Sequence, residues 1–422
     1  MTTTSLRRTM TLAVLATLLS VFLVQGASAA VASNKSWTIG SYNVGAFDYS
    51  GFMITREGEG PSHLYDQSEY IDIEENIDRQ RSAWHEFVDD DGSRRSTEVV
   101  KRISRSVAID GDDYFPDVVA VQEASTSFVK VGTETPQMVN NLNSRLSTVS
   151  TSAKYGQAVN PAWFTALTGD AITVAGASTT RPIAQAARIY YNTSTLKVLT
   201  GGAYTGRSLL KAEYQAGYSA ALGTTFASSS NRDKAIPWVI LKTTGASSEE
   251  KNRLLVVSSL HSIVKANYAA GISDADVHFY NSETARGLAA KLNTIAAQAT
   301  TSGQAHPAGI PAVIAGDFNA IYSTATRSNG DTAKSVPKLL HDYGYRDART
   351  LFHPTTSPCT GTCAPYASFD NGGSKKLLDY IFTRYADGAA ASTINVGDFV
   401  TRSDARLYSD HKAIVVRLKF VN

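Results

Sequence analysis

The chain has 422 residues, 43% of them hydrophobic and 18% charged, the balance of a soluble globular protein with enough apolar residues for a large core. Its 40 Lys and Arg stand against 38 Asp and Glu. This near-neutrality excludes a dedicated polybasic nucleic-acid binder, so a polyanionic ligand must be held by a local field or by a metal ion.

Arg7 and Arg8 precede an apolar run from Leu12 to Val24, and Ala27-Ser28-Ala29 supplies the small residues that a signal peptidase reads. The run is short for a membrane span, so residues 1–29 are expected to be a cleaved export signal and the mature protein to be secreted. The paired arginines also admit the twin-arginine route. Cleavage removes two arginines and no acid, leaving 38 basic against 38 acidic residues. Cys359 and Cys363, four apart in PCTGTC, are then expected to form a local disulfide, since two thiolates without a neighbouring His make a poor zinc cage.

Trp37 to Val44 reads as a strand ending at Asn43 and Gly45. Residues from about 46 to 115 are a long excursion between two core strands, the kind of segment that commonly carries function. Within it, Gln67 to Val88 has mainly helical spacing of apolar residues, and Ser96 to Ile109 reads as an amphipathic helix. That helix presents Arg94, Arg95, Lys101, Arg102 and Arg105, either a phosphate-backbone contact or simply a solvated face. Asp89-Asp90-Asp91 between the two lacks the ligand spacing of a calcium loop and reads as a turn.

Val118 to Val121 is a second strand, ending in Gln122-Glu123. A helix is expected from Pro136 to Leu146, and loops from 147 to 185. Arg188–Tyr191 and Leu196–Leu199 read as a hairpin-like pair around Asn192-Thr193. Ile236–Leu241 and Leu254–Ser259 are further strands, the second delivering His261. Asp276 to Ala297 carries Val277, Tyr280, Thr284, Leu288, Leu292 and Ile295 on one helical face. Ala312 to Ala315 is a short buried strand, followed by a sharp turn at Gly316 and by Asp317 and Asn319 around Phe318. Leu377–Phe382 and Ala413–Leu418 complete the strands. No βαβ rhythm runs through this order, so one layered α/β domain from 30 to 422 is expected rather than a doubly wound sheet.

Polar groups stand at the ends of these strands: Asn43, Gln122-Glu123, His261, Asp317 with Asn319, and Asp379, with Ser409-Asp410-His411 just before the last. Each alone has a plain structural reading: a turn closure for Asn43 and GDFN, a helix cap for Glu123, a core histidine for His261. Asp379, inside LLDYIF, is a buried carboxylate that needs a partner, and His411 is the candidate.

In order, YN, QE, LHS, GDFN, LDYIF and SDH resemble the endonuclease/exonuclease/phosphatase superfamily, closest to the deoxyribonuclease I-like branch. The resemblance implies a four-layer α/β sandwich of two packed mixed sheets with the site at one edge. It implies that Asn43, Glu123 and Asp410 surround a divalent cation, Mg²⁺ first and Mn²⁺ or Ca²⁺ as alternatives. It gives Asp379 the role of orienting His411, Asp317 and Asn319 the positioning of water and scissile phosphate, and His261 a phosphate contact. Arg232 falls nearest the branch's substrate-binding Arg, and Gln185 stands where the branch has a Glu beside its first His. The implied activity is a secreted phosphodiesterase, a nuclease on DNA or RNA, monomeric and without stable membrane association. A sphingomyelinase-like hydrolase of small esters and a non-catalytic binding protein on the same scaffold are the alternatives.

Overall fold

The computed structural model describes residues 36–43, 107–109, 112–114, 116–124, 154–224, 232–244, 254–264, 271–299, 310–320, 324–327, 329–330, 332–352, 368–370, 375–384, 394–402, 411 and 413–420. The expected export signal, most of the 46–115 excursion, the Pro136–Leu146 helix, Asp410 and both cysteines lie outside them.

Two large sheets use the strands β1 (Ser36–Asn43), β2 (Val118–Gln122), β3 (Tyr155–Gln157), β4 (Ile183–Ala184), β5 (Arg188–Asn192), β6 (Leu196–Thr205) and β7 (Asp233–Thr243). The rest are β8 (Leu254–His261), β9 (Ala312–Asp317), β10 (Tyr345–Asp347), β11 (Asp379–Arg384), β12 (Ile394–Arg402) and β13 (Ala413–Phe420). One sheet has six strands in the order β12-β13-β1-β2-β5-β3. The other has seven, β6-β7-β8-β9-β11-β10, with β4 pairing β7. Both are mixed: β1 runs parallel to β2 but antiparallel to β13, and β8 parallel to β9 but antiparallel to β7.

Alternation along the strands decides the layers. Ile39, Val118, Ala120, Leu255, Val257, Val313, Ala315, Ile381 and Val416 meet in one apolar layer between the sheets. The intervening residues of the seven-stranded sheet, among them Ile236, Val256, Ile314 and Phe382, pack on the helix α3 (Asp274–Ala299) through Leu288 and Leu292. That burial on both faces explains the continuous apolar runs of β8 and β9. Two shorter helices, α1 (Gly206–Leu209) and α2 (Ala212–Ala221), pack against α3. Gly287 lets α3 approach α1, since a Cβ there would lie 1.9 Å from the Leu209 carbonyl oxygen. On the six-stranded sheet the outward residues Tyr42, Val119, Val121 and Tyr190 are buried as well, so both of its faces are covered, as a four-layer sandwich requires.

Three expectations need correction. Arg188–Tyr191 and Leu196–Leu199 do not pair: β5 belongs to the six-stranded sheet and β6 to the seven-stranded one, so Asn192-Thr193 carries the chain from one sheet to the other. The Ser96–Ile109 helix cannot include its last three residues, because Val107–Ile109 is a strand paired with Asp112–Tyr114. The Asp110-Gly111 pair between them is a two-residue hairpin signal that overrides the helical spacing. Residues 147–185 are not merely loops, since they hold β3, a short helix at Pro161–Thr165 and a hairpin of Ala171–Val174 with Ala177–Thr180. Its turn residues Ala175 and Gly176 both have positive φ (50° and 83°), and an Ala there gives none of the usual Asn or Asp signal.

Candidate active site

Strands β8, β9 and β11 lie side by side, and their register sets His261 opposite Asp317 and Asp317 opposite Asp379. All three share parity with the inward Val257, Ala315 and Ile381, so period two brings them to one face at one edge of the sheet. From the facing sheet, Asn43 ends β1 in register with Gln122, and Glu123 follows β2. Gln122 Nε2 donates to Ser259 Oγ (3.0 Å), which donates to the Val121 carbonyl (3.2 Å). That buried pair ties the two sheets together directly behind the site.

Across the gap, Asn43 Nδ2 donates to Glu123 Oε1 and to Asp317 Oδ2, both at 3.1 Å. His261 Nε2 lies 3.4 Å from Glu123 Oε1 and 3.9 Å from Asp317 Oδ2. His411 Nδ1 is 2.7 Å from Asp379 Oδ2, and its Nε2 is 3.8 Å from Asp317 Oδ2. Asp317 is therefore the hub on which both imidazoles and the Asn43 and Asn319 amides converge.

Backbone geometry at the hub is unusual. Gly316 has φ +152°, and a Cβ there would sit 1.9 Å from the Leu260 carbonyl oxygen. Asn319 (φ +43°) and Glu123 (φ +59°) adopt a conformation that non-glycine residues rarely take. Asn319 donates its backbone N–H to Asp317 Oδ1 (2.8 Å) and its side-chain amide to Asp317 Oδ2 (3.1 Å) and the Ser262 carbonyl (3.2 Å). It fixes the carboxylate in place.

Burial alone raises the Glu123 carboxyl, but contact with His261, the charges of both histidines and the Asn43 amide outweigh it and hold Glu123 down at about 2. Asp317 goes the other way. Burial raises its pKa and the Asp379 charge adds to that, against the lowering pull of both histidines and the Asn319 N–H.

Among the described residues, two groups offer ligand atoms within 4.8 Å of one another: Glu123, His261 and Asp317, and Asp317, Asp379 and His411. The donor set suits a hard divalent cation, being rich in carboxylate oxygen, and buried Asp379 Oδ1 has no hydrogen-bond partner among the described residues. Asn43 and Glu123, from the expected cation set, are in contact here.

Sequence reasoning assigned His261 only Gln185 as a neighbour. The structure instead sets it against the full charge of Glu123, while Gln185 is exposed and its carbonyl accepts from Arg188. Arg232 stands just before β7, whose N-terminal end lies beside the C-terminal end of β8 that carries His261, so it belongs to the same edge. Two supporting residues went unread. Asn281 of α3 donates to the carbonyls of Ile263 and Asn319 (2.8 and 3.0 Å), and Ser368 Oγ accepts the N–H groups of Leu378 and Asp379. An Asn on an otherwise apolar helix face was the available signal for the first; Ser368 offered none.

No family model matches the sequence. A stretch of 150 residues is 29% identical to proteins named sphingomyelinase from Mycobacterium tuberculosis (strain H37Rv) and Mycobacterium bovis, covering 34% of this chain and 28% of theirs. The chain thus matches little more than a quarter of the length of these relatives. Among solved structures, an endonuclease/exonuclease/phosphatase from Bacteroides vulgatus superposes with a TM-score of 0.43 at 13% identity, over 91% of this chain and 99% of that one. One from Beutenbergia cavernae gives 0.44 at 14% identity, over 92% and 72%. The human Nocturnin catalytic domain gives 0.40 at 13%, over 92% and 95%. With TM-scores below 0.5, these neighbours add no functional argument to the one the side chains make.

Proposed function

We propose that this chain is a divalent-metal-dependent phosphodiesterase of the endonuclease/exonuclease/phosphatase type, with nucleic acid as its substrate class. One observation carries the reading: the Nε2 atoms of two histidines, His261 at the end of β8 and His411 just before β13, both lie within 4 Å of the buried Asp317 carboxylate, and each imidazole has a further carboxylate of its own. Phosphodiester hydrolysis needs such a pair, one group to take a proton from water and another to meet charge on the phosphate or the leaving oxygen.

In the proposed reaction His411 Nε2 accepts the proton of the attacking water while Nδ1–H donates to Asp379, whose charge offsets the imidazolium that forms. The water oxygen bonds to phosphorus and the ester oxygen departs. His261, flanked by Glu123 and Asp317, faces the phosphate and supplies the proton that the leaving oxygen takes. Asp317, held by Asn43 and Asn319, aligns both rings. Glu123 and Asn43, with Asp410, would hold the cation, which when bound neutralises phosphate charge.

A second reading takes sphingomyelin as the diester, and the 150-residue match to mycobacterial proteins named sphingomyelinase favours it. Among the described residues no helix is long and apolar enough to cross a membrane. The test is to offer the full-length protein bis(p-nitrophenyl) phosphate, plasmid DNA, RNA and sphingomyelin vesicles with Mg²⁺, Mn²⁺ or Ca²⁺ and with EDTA. Metal-dependent cleavage of the small diester and of a nucleic acid is expected. Turnover of sphingomyelin alone moves the reading to the second substrate, and turnover of nothing leaves a binding protein on this scaffold.

A further inference from the structure

The hairpin at 171–180 and helix α2 flank an open cavity of about 610 Å³, apart from the residues of the site above. Its polar lining includes Asp170, Arg181, Arg207 and Ser219. Asp170 and Arg181 satisfy one another: Arg181 Nε donates to Asp170 Oδ1 at 3.0 Å, and Nη2 donates to the Ser219 carbonyl at 3.1 Å. Arg207 is different. Its Nε is buried without a hydrogen-bond partner among the described residues, and so is Ser219 Oγ on the same cavity wall. Two unmet donors and one uncompensated guanidinium facing one space are what an oxyanion would satisfy.

The cavity is also placed usefully. The Arg207 backbone N–H donates to the Asp233 carboxylate (3.2 and 3.3 Å), and Asp233 opens β7 at the edge where β8 ends in His261. With neighbouring strands about 4.8 Å apart, the cavity stands on the order of 10–15 Å from the catalytic imidazole. A single-phosphate substrate engaged at His261 would not fill it. A polymer with a phosphate on every residue would.

We propose that this cavity is a second oxyanion subsite, which takes a phosphate of a nucleic-acid strand beyond the one being cleaved, with Arg207 and Ser219 as donors. The proposal rests on the phosphodiesterase reading and narrows it to substrates with several phosphates.

Ala216 lines the cavity and is exposed, so Ala216→Glu introduces a repelling carboxylate without disturbing the core. Arg207→Gln removes the guanidinium, with its melting temperature checked against the wild type. On an oligothymidylate, both variants should raise KM roughly tenfold, the scale of one charge-assisted contact, with kcat within twofold. Ala216→Glu should leave turnover of bis(p-nitrophenyl) phosphate unchanged. In parallel, equilibrium dialysis with inorganic phosphate should show a binding site that Ala216→Glu weakens. Unchanged KM on the oligonucleotide in Ala216→Glu, or an equal rise on both diesters, overturns the subsite. If the wild type cleaves neither diester, the catalytic reading has failed and dialysis still decides the cavity: phosphate binding indifferent to Ala216→Glu rules it out.

Discussion

Replacing Asp379 by Asn tests the base directly. Asp379 is 1% exposed and its Oδ2 lies 2.7 Å from His411 Nδ1. When His411 takes a proton from water, the opposite charges are centred roughly 4 Å apart, worth about 4 kcal/mol at an effective dielectric constant near 20. An Asn of the same shape removes that charge but can still accept from Nδ1–H, returning about 1 kcal/mol. At about 1.4 kcal/mol per decade, the net loss corresponds to a fall in kcat of roughly a hundredfold to a thousandfold, with KM little changed. Initial rates on bis(p-nitrophenyl) phosphate at saturating metal measure it, with circular dichroism and thermal melting to show that the fold is kept. A natively folded Asp379→Asn protein losing less than tenfold would refute the His411–Asp379 couple as the base.

Glu123→Gln keeps the shape next to His261 and Asn43 but removes the charge, so activity should fall at least a hundredfold. Added Mg²⁺ should raise the melting temperature of the wild type but not that of Glu123→Gln; an equal rise in both would place the cation elsewhere. Gly316→Ala should cost roughly 3 kcal/mol or more by urea unfolding, because of its φ of +152° and the Leu260 carbonyl 1.9 Å from the added Cβ. A cost below 1 kcal/mol would mean that this turn relaxes freely. Asp117 gives a pH signature, since burial pushes its carboxyl up to about 6 against the hydrogen bonds of the Thr38 N–H and the Thr195 hydroxyl. An unfolded Asp titrates near 3.9, so the folded state keeps its proton longer and stability contributed by this group falls as pH rises from about 4 to about 6. Asp117→Asn should remove up to roughly 3 kcal/mol of that decline, read as the difference between the two urea-unfolding profiles at pH 4 and 7; parallel profiles would rule out the shift.

Most of the core was readable because a strand buried on both faces leaves a continuous apolar run. Val118–Val121, Leu254–Ser259 and Ala312–Ala315 each appear in the structure within a residue or two of those limits. The long helix was readable for the opposite reason: its one apolar stripe recurs at helical spacing from Val277 to Ile295. What failed was partnership. Nothing local says that the chain leaves one sheet at Asn192 and joins the other at Leu196, because both segments are strand-like and the turn suits a hairpin. The same limit hid the Glu123 contact of His261, which is a matter of sheet packing and not of neighbours in the chain. Strand β12, with Asp398 and Arg402 among its apolar residues, lacks the run that marks a buried strand. Its pairing with β13 also shifts register between Val396 and Asp398.

The amide bridge from Asn43 to Asp317 spans 274 residues of chain. Closing so large a loop is entropically costly and slow, and the bridge cannot form until the end of β1 in the six-stranded sheet meets the end of β9 in the seven-stranded one. Catalytic competence should accordingly be the last property to appear during refolding, trailing the recovery of helix and strand signals. A protein with one sheet formed and the other still open would hold His261, Asp317 and Asp379 in register and yet be inert, because Glu123 and Asn43 arrive with the other half.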